Sequence, residues 1–413
     1  MKKFKKITPH VLILLLFVII SFTYFSPVIK GERLNAHDIK TWKGMSKEVQ
    51  DFRDTTGDEA LWTNSMFSGM PAYQISTKYK GNLIQYVHKA LSLGIPRPAN
   101  ILFLYLLGFY ILLLSLKIDY RLSAVGAIAF AFSSYLFIII QAGHMTKAYA
   151  LAYMPMVIAS VLYTYRGKLL LGGVLTSLTV ALEIYANHLQ ITYYLFLILV
   201  LIGFVQFIKE FKRDNLTDFF RRTMILLLAA LLACGTSLTR LVTTMEYSKE
   251  STRGKSELTN DMDNKTTGLD KDYATQWSYG ISESLTLLIP NFHGGASQGE
   301  LTTDSETYQA LKRLPNAKKL IKNLPLYWGS QPIVNGPTYA GSIVIFLFVI
   351  GLFLVRSSIK IWIILATIMS IMLAWGKNFM PLTCSTNLSS LECMQEKITL
   401  FLVSHEAIFL QLI

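Results

Sequence analysis

The residues with chemical reach in this chain are few and widely separated. Asp38 lies in "GERLNAHDIKTW" (31–42), a few residues past a long apolar run. His144 and Lys147 lie in "QAGHMTKAY", Glu183, Asn187, His188 and Gln190 in "EIYANHLQITYY", and Arg240 and Glu246 in "SLTRLVTTMEYSKEST". A carboxylate such as Asp38 serves as a general base when its pKa suits the operating pH and it reaches the proton directly or through one water. Lys147 and Arg240 suit charge-assisted contacts to a phosphate, which stabilise a leaving group as its charge develops. Imidazole and carboxylate are sensible ligands for a divalent cation, so His144, Glu183 and His188 form a candidate site for a cation or an acceptor. Their spacing is not diagnostic of a metal, and the sequence identifies none.

Each residue also has an ordinary reading. Asp is a favoured N-cap, and Asp38 stands before "IKTWKGMSKEVQDF", which reads as an interfacial helix. Lys147 and Arg240 can snorkel to headgroups. Glu183 can serve packing against a neighbouring helix. There is no Walker A sequence, GxSxG, HExxH or Rossmann glycine fingerprint, so any driving force must come from a reactive donor or an ion gradient. Cys234, Cys384 and Cys393 have no CxxC or metal spacing and suggest no disulfide framework.

The elements that must position these residues follow from composition. The 413 residues are 52% hydrophobic and 16% charged, against about 25% charged in soluble domains. Apolar residues fall into runs of roughly 17–22, enough to cross about 30 Å of hydrocarbon as a helix. This is the signature of an all-α polytopic membrane protein. Nine spans are expected, near 10–29, 99–117, 122–140, 149–165, 169–186, 189–208, 223–241, 338–355 and 359–375. The first follows "MKKFKK" without an A-x-A site or a lipobox cysteine and is expected to remain uncleaved. The net charge of +13 is explained by positive-inside loops and anionic headgroups rather than by nucleic acid.

Lys and Arg then set the orientation. A cytoplasmic N-terminus places Lys2, Lys3, Lys5 and Lys6, Lys117 with Arg121, Arg166 with Lys168, the cluster around Lys209–Arg222, and Arg356 with Lys360 inside. The chain divides into a first helix (1–29), a first outer loop (30–98), six helices (99–241), a second outer loop (242–337), two helices (338–375) and an atypical tail (376–413). Asp38, His144, Lys147, Glu183, His188 and Arg240 then share the outer ends, where ionisable groups at membrane depth read as functional by default. Both loops interleave Trp, Tyr, Gly, Pro and Asn, as in "LWTNSMFSGMPAYQIS" (61–76), "QWSYGISESLTLLIPNFHGG" (276–295) and "YWGSQPIVNGPTYAGS" (327–342). Flat faces such as those of Trp62, Tyr73, Trp277 and Tyr279 suit sugar rings. The same composition also describes an aromatic belt at the headgroups.

The stretches "WTNSMFSGMPAYQI", "QAGHMTKAYALAYMP", "SESLTLLIPNFHGG" and "YWGSQPIVNGPTYAG" resemble the YfhO family of bacterial membrane proteins in a Bacteroidetes-like form. The likeness runs over nearly the whole chain to about "AWGKNFMPLT". A first helix followed by a large outer loop opening with an acid resembles the GT-C membrane glycosyltransferases. The resemblance implies a GT-C-like helical bundle in the bacterial cytoplasmic membrane. It implies transfer of a sugar from a polyprenyl-phosphate donor to an envelope glycan or polymer, with Asp38 as base or metal ligand and with membrane lipids as partners. Lys147 and Arg240 would meet the donor phosphate, transfer would invert the anomeric centre, and a divalent cation is an optional cofactor. Members of the family continue past this point. "CSTNLSSLECMQEKITLFLVSHEAIFLQLI" departs from them, which suggests a truncation or a change of frame near residue 383 and, with it, an inactive chain. A lipid-linked-sugar flippase and a non-catalytic envelope assembly protein are the competing readings. The first calls for internal repeats or broken helices in matching halves; the second has no need of an acid opening the first loop.

Overall fold

The computed structural model describes residues 2–251, 275–357 and 359–379. Wherever the sequence runs apolar for more than about three turns, the chain is helical, because only a helix satisfies its own backbone away from water. Helix α1 spans Lys2–Tyr24 and ends in a short 3₁₀ turn closed by Gly31 at φ 80°. The polar segment after it folds into α2 (His37–Met45) and α3 (Lys47–Thr56), a small hairpin of β1 (Trp62–Thr63) and β2 (Met70–Pro71), and α4 (Ile84–Leu91). The apolar helices resume with α5 (Ala99–Ser115), α6 (Tyr120–Ala131), α7 (Ser134–Ala142), α8 (Met145–Tyr165), α9 (Leu169–Tyr185), α10 (Leu189–Phe211), α11 (Leu216–Gly235) and α12 (Leu238–Ser248). Later described helices are α13 (Glu306–Leu311), α14 (Ala317–Leu320), α15 (Ser342–Leu354) and α16 (Ile359–Trp375).

The protein is therefore a helical membrane protein. Among the described residues, α1, α8, α10 and α16 are each long and apolar enough to cross a membrane, and two bent pairs raise the number to six. Helices α5, α9 and α15 are apolar but shorter. The nine expected runs thus resolve into four full spans, two broken ones and three short helices. The run expected at 122–140 breaks at Phe132 and Ser133, between α6 and α7. The run expected at 223–241 turns by 79° between α11 and α12. The tail from residue 380, with Cys384 and Cys393, lies outside the described residues.

Contacts divide the chain into two units, residues 1–132 with 139–251 and residues 133–138 with 252–413. In the first, α8 is the hub and packs against α5, α9, α10 and α11. Eighteen of its residues are buried, including Lys147, Tyr149 and Tyr153. Its internal Pro155 is tolerated because neighbouring helices enclose the backbone it frees. Helix α1 packs on α5 and leaves Leu12, Leu15 and Ile19 exposed, a surface suited to lipid. At the end of this unit where α8 finishes, Arg222 donates to the Tyr165 carbonyl at 2.9 Å, to Asp218 at 2.9 Å and to Glu210 at 3.4 Å. Asn215 donates to both acids.

The second unit has its own polar knot. Glu283 is buried and accepts from the Tyr327 hydroxyl and from the Gly280 amide at 3.1 Å. Tyr279 is buried, and its backbone is held by Ala374 and Asn378. Ser134 donates to the Pro337 carbonyl at 2.9 Å and accepts from the Tyr339 amide at 2.7 Å.

Candidate functional site

The predicted residues of the first unit collect where α5 and α8 begin and α9 ends. Asp38 falls in the first turn of α2, whose N-cap is Ala36 with no side-chain capping bond. Its carboxylate therefore does not cap the helix; Oδ2 meets Nδ1 of His144 at 2.9 Å. Gly143 permits this approach. It sits at φ +93°, a conformation other residues adopt only under strain, and a Cβ there would lie 2.9 Å from the Ala36 Cβ and 3.2 Å from the Asp38 Cβ. The turn between α7 and α8 can thus lie against the start of α2. Burial and the nearby Lys147 charge hold His144 below its usual 6.5, and Asp38 only partly offsets them. His144 is thus biased toward its neutral form, with Nδ1 2.9 Å from the Asp38 carboxylate and Nε2 without a hydrogen bond among the described residues.

Beside this pair is a cavity of about 320 Å³. Met145 and Thr146, which follow His144 directly, line it with Tyr149 and Tyr153 from α8, Tyr185 to Asn187 at the end of α9, and Arg240 of α12. One wall is the stretch 73–79 of the first loop, and His88 and Arg97 complete it. The wall is fastened from behind. Trp42 of α2 donates to the Ile75 carbonyl at 3.1 Å, so the helix that carries Asp38 is pinned to the cavity. Arg53 donates to the Ser76 carbonyl and makes a two-bonded pair with Glu59 at 2.8 Å. Gln74 reaches Thr244 and Asn82 reaches Ser237, which ties the loop to the α11–α12 corner.

Among the described residues the lining contains two guanidiniums and no carboxylate. Arg240 stacks on Tyr79 at 4.8 Å and donates to the Tyr185 carbonyl at 3.2 Å. Arg97 donates to the Tyr149 hydroxyl at 2.9 Å and lies 5.4 Å from the centre of its ring. Cation–ring contacts hold the guanidinium planes without neutralising them. Burial and the Arg97 charge hold His88 below its usual 6.5.

Other predicted residues are distributed differently. Lys147 is buried in α8 and does not line the cavity. Glu183 is fully buried; Oε1 accepts from Thr192 at 3.4 Å and Oε2 has no hydrogen-bond partner among the described residues. His188 occupies the N-cap position of α10. Among the described residues no three His, Cys, Asp or Glu side chains converge as a metal group, His144, Glu183 and His188 included. Tyr73 lines the cavity, while Trp62 is exposed with its indole over Gly69. In the second unit Trp277 donates to the Ile333 carbonyl, and Tyr279 is buried in the lining of a small cavity with Glu283, His293 and Tyr327.

No protein-family model, no curated protein and no solved structure matches this chain. The site is therefore read from its own chemistry. Sequence reasoning passed over His88, Arg97, Tyr149 and Tyr153. The available signals were two tyrosines one helical turn apart in "KAYALAY" and the Arg of "GIPRPAN" at the mouth of α5.

Proposed function

We propose that this chain is a GT-C-like membrane glycosyltransferase that moves a sugar from a polyprenyl-phosphate donor to an envelope glycan or polymer. It works at the outer face of a bacterial cytoplasmic membrane, with its N-terminus in the cytoplasm. The observation that carries the reading is an Asp–His pair beside a cavity with two arginines and no carboxylate. On substrate binding the Asp38 carboxylate, 2.9 Å from Nδ1 of His144, aligns to accept its proton, which fixes the tautomer and leaves the Nε2 lone pair as the base. Nε2 takes the proton of an acceptor hydroxyl as that oxygen attacks the anomeric carbon. The bond from the anomeric carbon to the lipid-phosphate oxygen breaks with inversion, and the charge passes to the phosphate. Arg97 and Arg240 are placed to compensate that charge, which is where electrostatic stabilisation is most effective. Burial, with a smaller contribution from Lys147, helps to keep His144 neutral and ready at physiological pH.

The test is transfer of labelled sugar from a polyprenyl-phosphate donor by the full chain in lipid nanodiscs. Asp38→Asn should lower transfer by about 100-fold or more, the usual worth of general-base catalysis, with donor binding retained. The wild-type rate should rise with pH through a midpoint below 6.5 and then level off, because His144 must lose its proton to act. Near-normal transfer by Asp38→Asn would remove the pair from the chemistry. A second reading, a lipid-linked-sugar flippase, is favoured by the two broken spans, since transporters build sites at discontinuous helices. Donor translocation without sugar transfer would select it.

A further inference from the structure

Hydrogen-bond bookkeeping within the cavity leads beyond the two arginines. Tyr153 is fully buried, and its hydroxyl has one partner, Nδ1 of His88. A buried hydroxyl hydrogen needs an acceptor, so the hydroxyl donates and Nδ1 accepts. The ring hydrogen of a neutral His88 is thereby assigned to Nε2, which has no partner among the described residues. Tyr149 reaches a similar state by a different route. Its oxygen already accepts from Arg97 and Asn100, both at 2.9 Å, so its own hydrogen has no acceptor among the described residues, although the residue is 6% exposed. Thr77, also in the lining, has a buried hydroxyl with no partner.

We propose that this cavity is an oxyanion site for a phosphate ester, in which a neutral His88 donates from Nε2 beside Tyr149, Arg97 and Arg240, and Tyr153 is the positioning residue that holds the imidazole in its donating tautomer. The inference rests on the reading above only for the identity of the ester. It gives two histidines opposite tasks: His144, which precedes the lining residues Met145 and Thr146, offers a lone pair, and His88 in the lining offers a hydrogen. The groups facing His88 are Arg97 from the segment before α5, Tyr149 and Tyr153 from α8, and Tyr185 from α9, with Glu183 acting on Tyr153 from behind. None of them is a carboxylate facing the ring, so nothing draws a proton onto it, and burial and Arg97 oppose one.

The experiment titrates farnesyl phosphate and, separately, inorganic phosphate onto the full chain in detergent by calorimetry. Wild type should bind farnesyl phosphate, and His88→Ala should bind it about tenfold or more weakly, the worth of one hydrogen bond to a charged acceptor. His88→Gln, which keeps an N–H, should recover part of that loss. Tyr153→Phe should weaken binding less, and the ¹⁵N spectrum of His88 should shift from the Nε2–H pattern toward mixed tautomers, a change that a purely structural hydroxyl would not produce. Displacement of farnesyl phosphate by comparable inorganic phosphate assigns the site to a free anion. Displacement only at far higher concentration assigns it to a lipid phosphate. Absence of binding to both probes, wild-type affinity in His88→Ala, or an Nδ1–H pattern at His88 overturns the site. Phosphate binding with the expected His88 dependence but no sugar transfer leaves this site standing and removes the glycosyltransferase reading. Full transfer by His88→Ala does the reverse.

Discussion

The two ends of the first unit treat arginine in opposite ways. Where α8 finishes, Arg222 meets Glu210, Asp218 and a carbonyl, and an asparagine ties the two acids together. Glu210 is buried, so this charge set is closed. Where α8 begins, Arg97 and Arg240 rest on tyrosine rings and reach only a hydroxyl and a carbonyl. The same residue type is a clip at one end and an open receptor at the other. The difference lies in whether the fold supplies the counter-charge. On the proposed reading, a cation beside a cavity without an acid is held for a ligand that brings one.

This contrast can be broken most severely at Arg222. Its removal would leave a buried carboxylate without compensation, which typically costs about 3–5 kcal/mol. Arg222→Ala should therefore cause a large drop in thermal stability in detergent. Arg240→Ala should cost only about 1–2 kcal/mol, from one ring contact and one hydrogen bond, and should instead weaken phosphate binding. Equal stability losses in the two variants would mean that Arg240 is also a clip.

The open end has a second requirement, close approach of the chain at Gly143. Gly143→Ala adds a methyl 2.9 Å from the Ala36 Cβ and 3.2 Å from the Asp38 Cβ at a backbone φ of +93°. Strain of this kind costs on the order of 1–3 kcal/mol. The expected result is a modest fall in melting temperature and a much larger fall in sugar transfer, because Asp38 is moved off His144. Wild-type transfer by Gly143→Ala would show that the 2.9 Å contact between Asp38 and His144 is dispensable.

Much of the scaffold was legible in the sequence, and the reason is physical. Apolar runs near the length of a bilayer have little choice but to be helical, and in the fold Asp38 meets His144 while Arg240 lines the cavity with Met145 and Thr146. The break in the run at 122–140 was less visible. Ser133 and Ser134 were its signal, but the partners of Ser134 are Pro337 and Tyr339, some 200 residues away in sequence. The meeting of Asp38 with His144 depends on one glycine's φ, which no periodicity encodes. Arg97 and His88 were missed because they lie in a loop whose aromatics drew attention to sugars, and their roles come from partners on α8. Tyr279 has the type of a sugar platform, and in the structure it is buried in the wall of a small cavity. Composition cannot distinguish a buried aromatic ring from a presented one.

Arg53 lies behind the cavity wall yet is paired with a carboxylate, as Arg222 is. Burial pushes Glu59 up, but hydrogen bonds from Arg53 and the Lys78 amide, with the Arg53 and Lys80 charges, leave it below its usual 4.5. Glu48 is also held below 4.5, chiefly by the Thr63 hydroxyl and, against desolvation, by Ser65 and Asn64. Both carboxylates therefore stay ionised in the folded chain at pH values where the unfolded chain has begun to bind protons. Their contribution to stability is present above 4.5 and is lost as pH falls through their lower folded values. The melting temperature of the wild type should decline on acidification below that point. Glu59→Gln should flatten part of the decline and leave the slope near neutral pH unchanged. Because Arg53 also holds the Ser76 carbonyl of the cavity wall, phosphate affinity in the wild type should weaken over the same acid window. An identical acid slope in wild type and Glu59→Gln would mean that the Arg53–Glu59 pair does not hold the wall, and that the counter-charge supplied there is incidental to the cavity it backs.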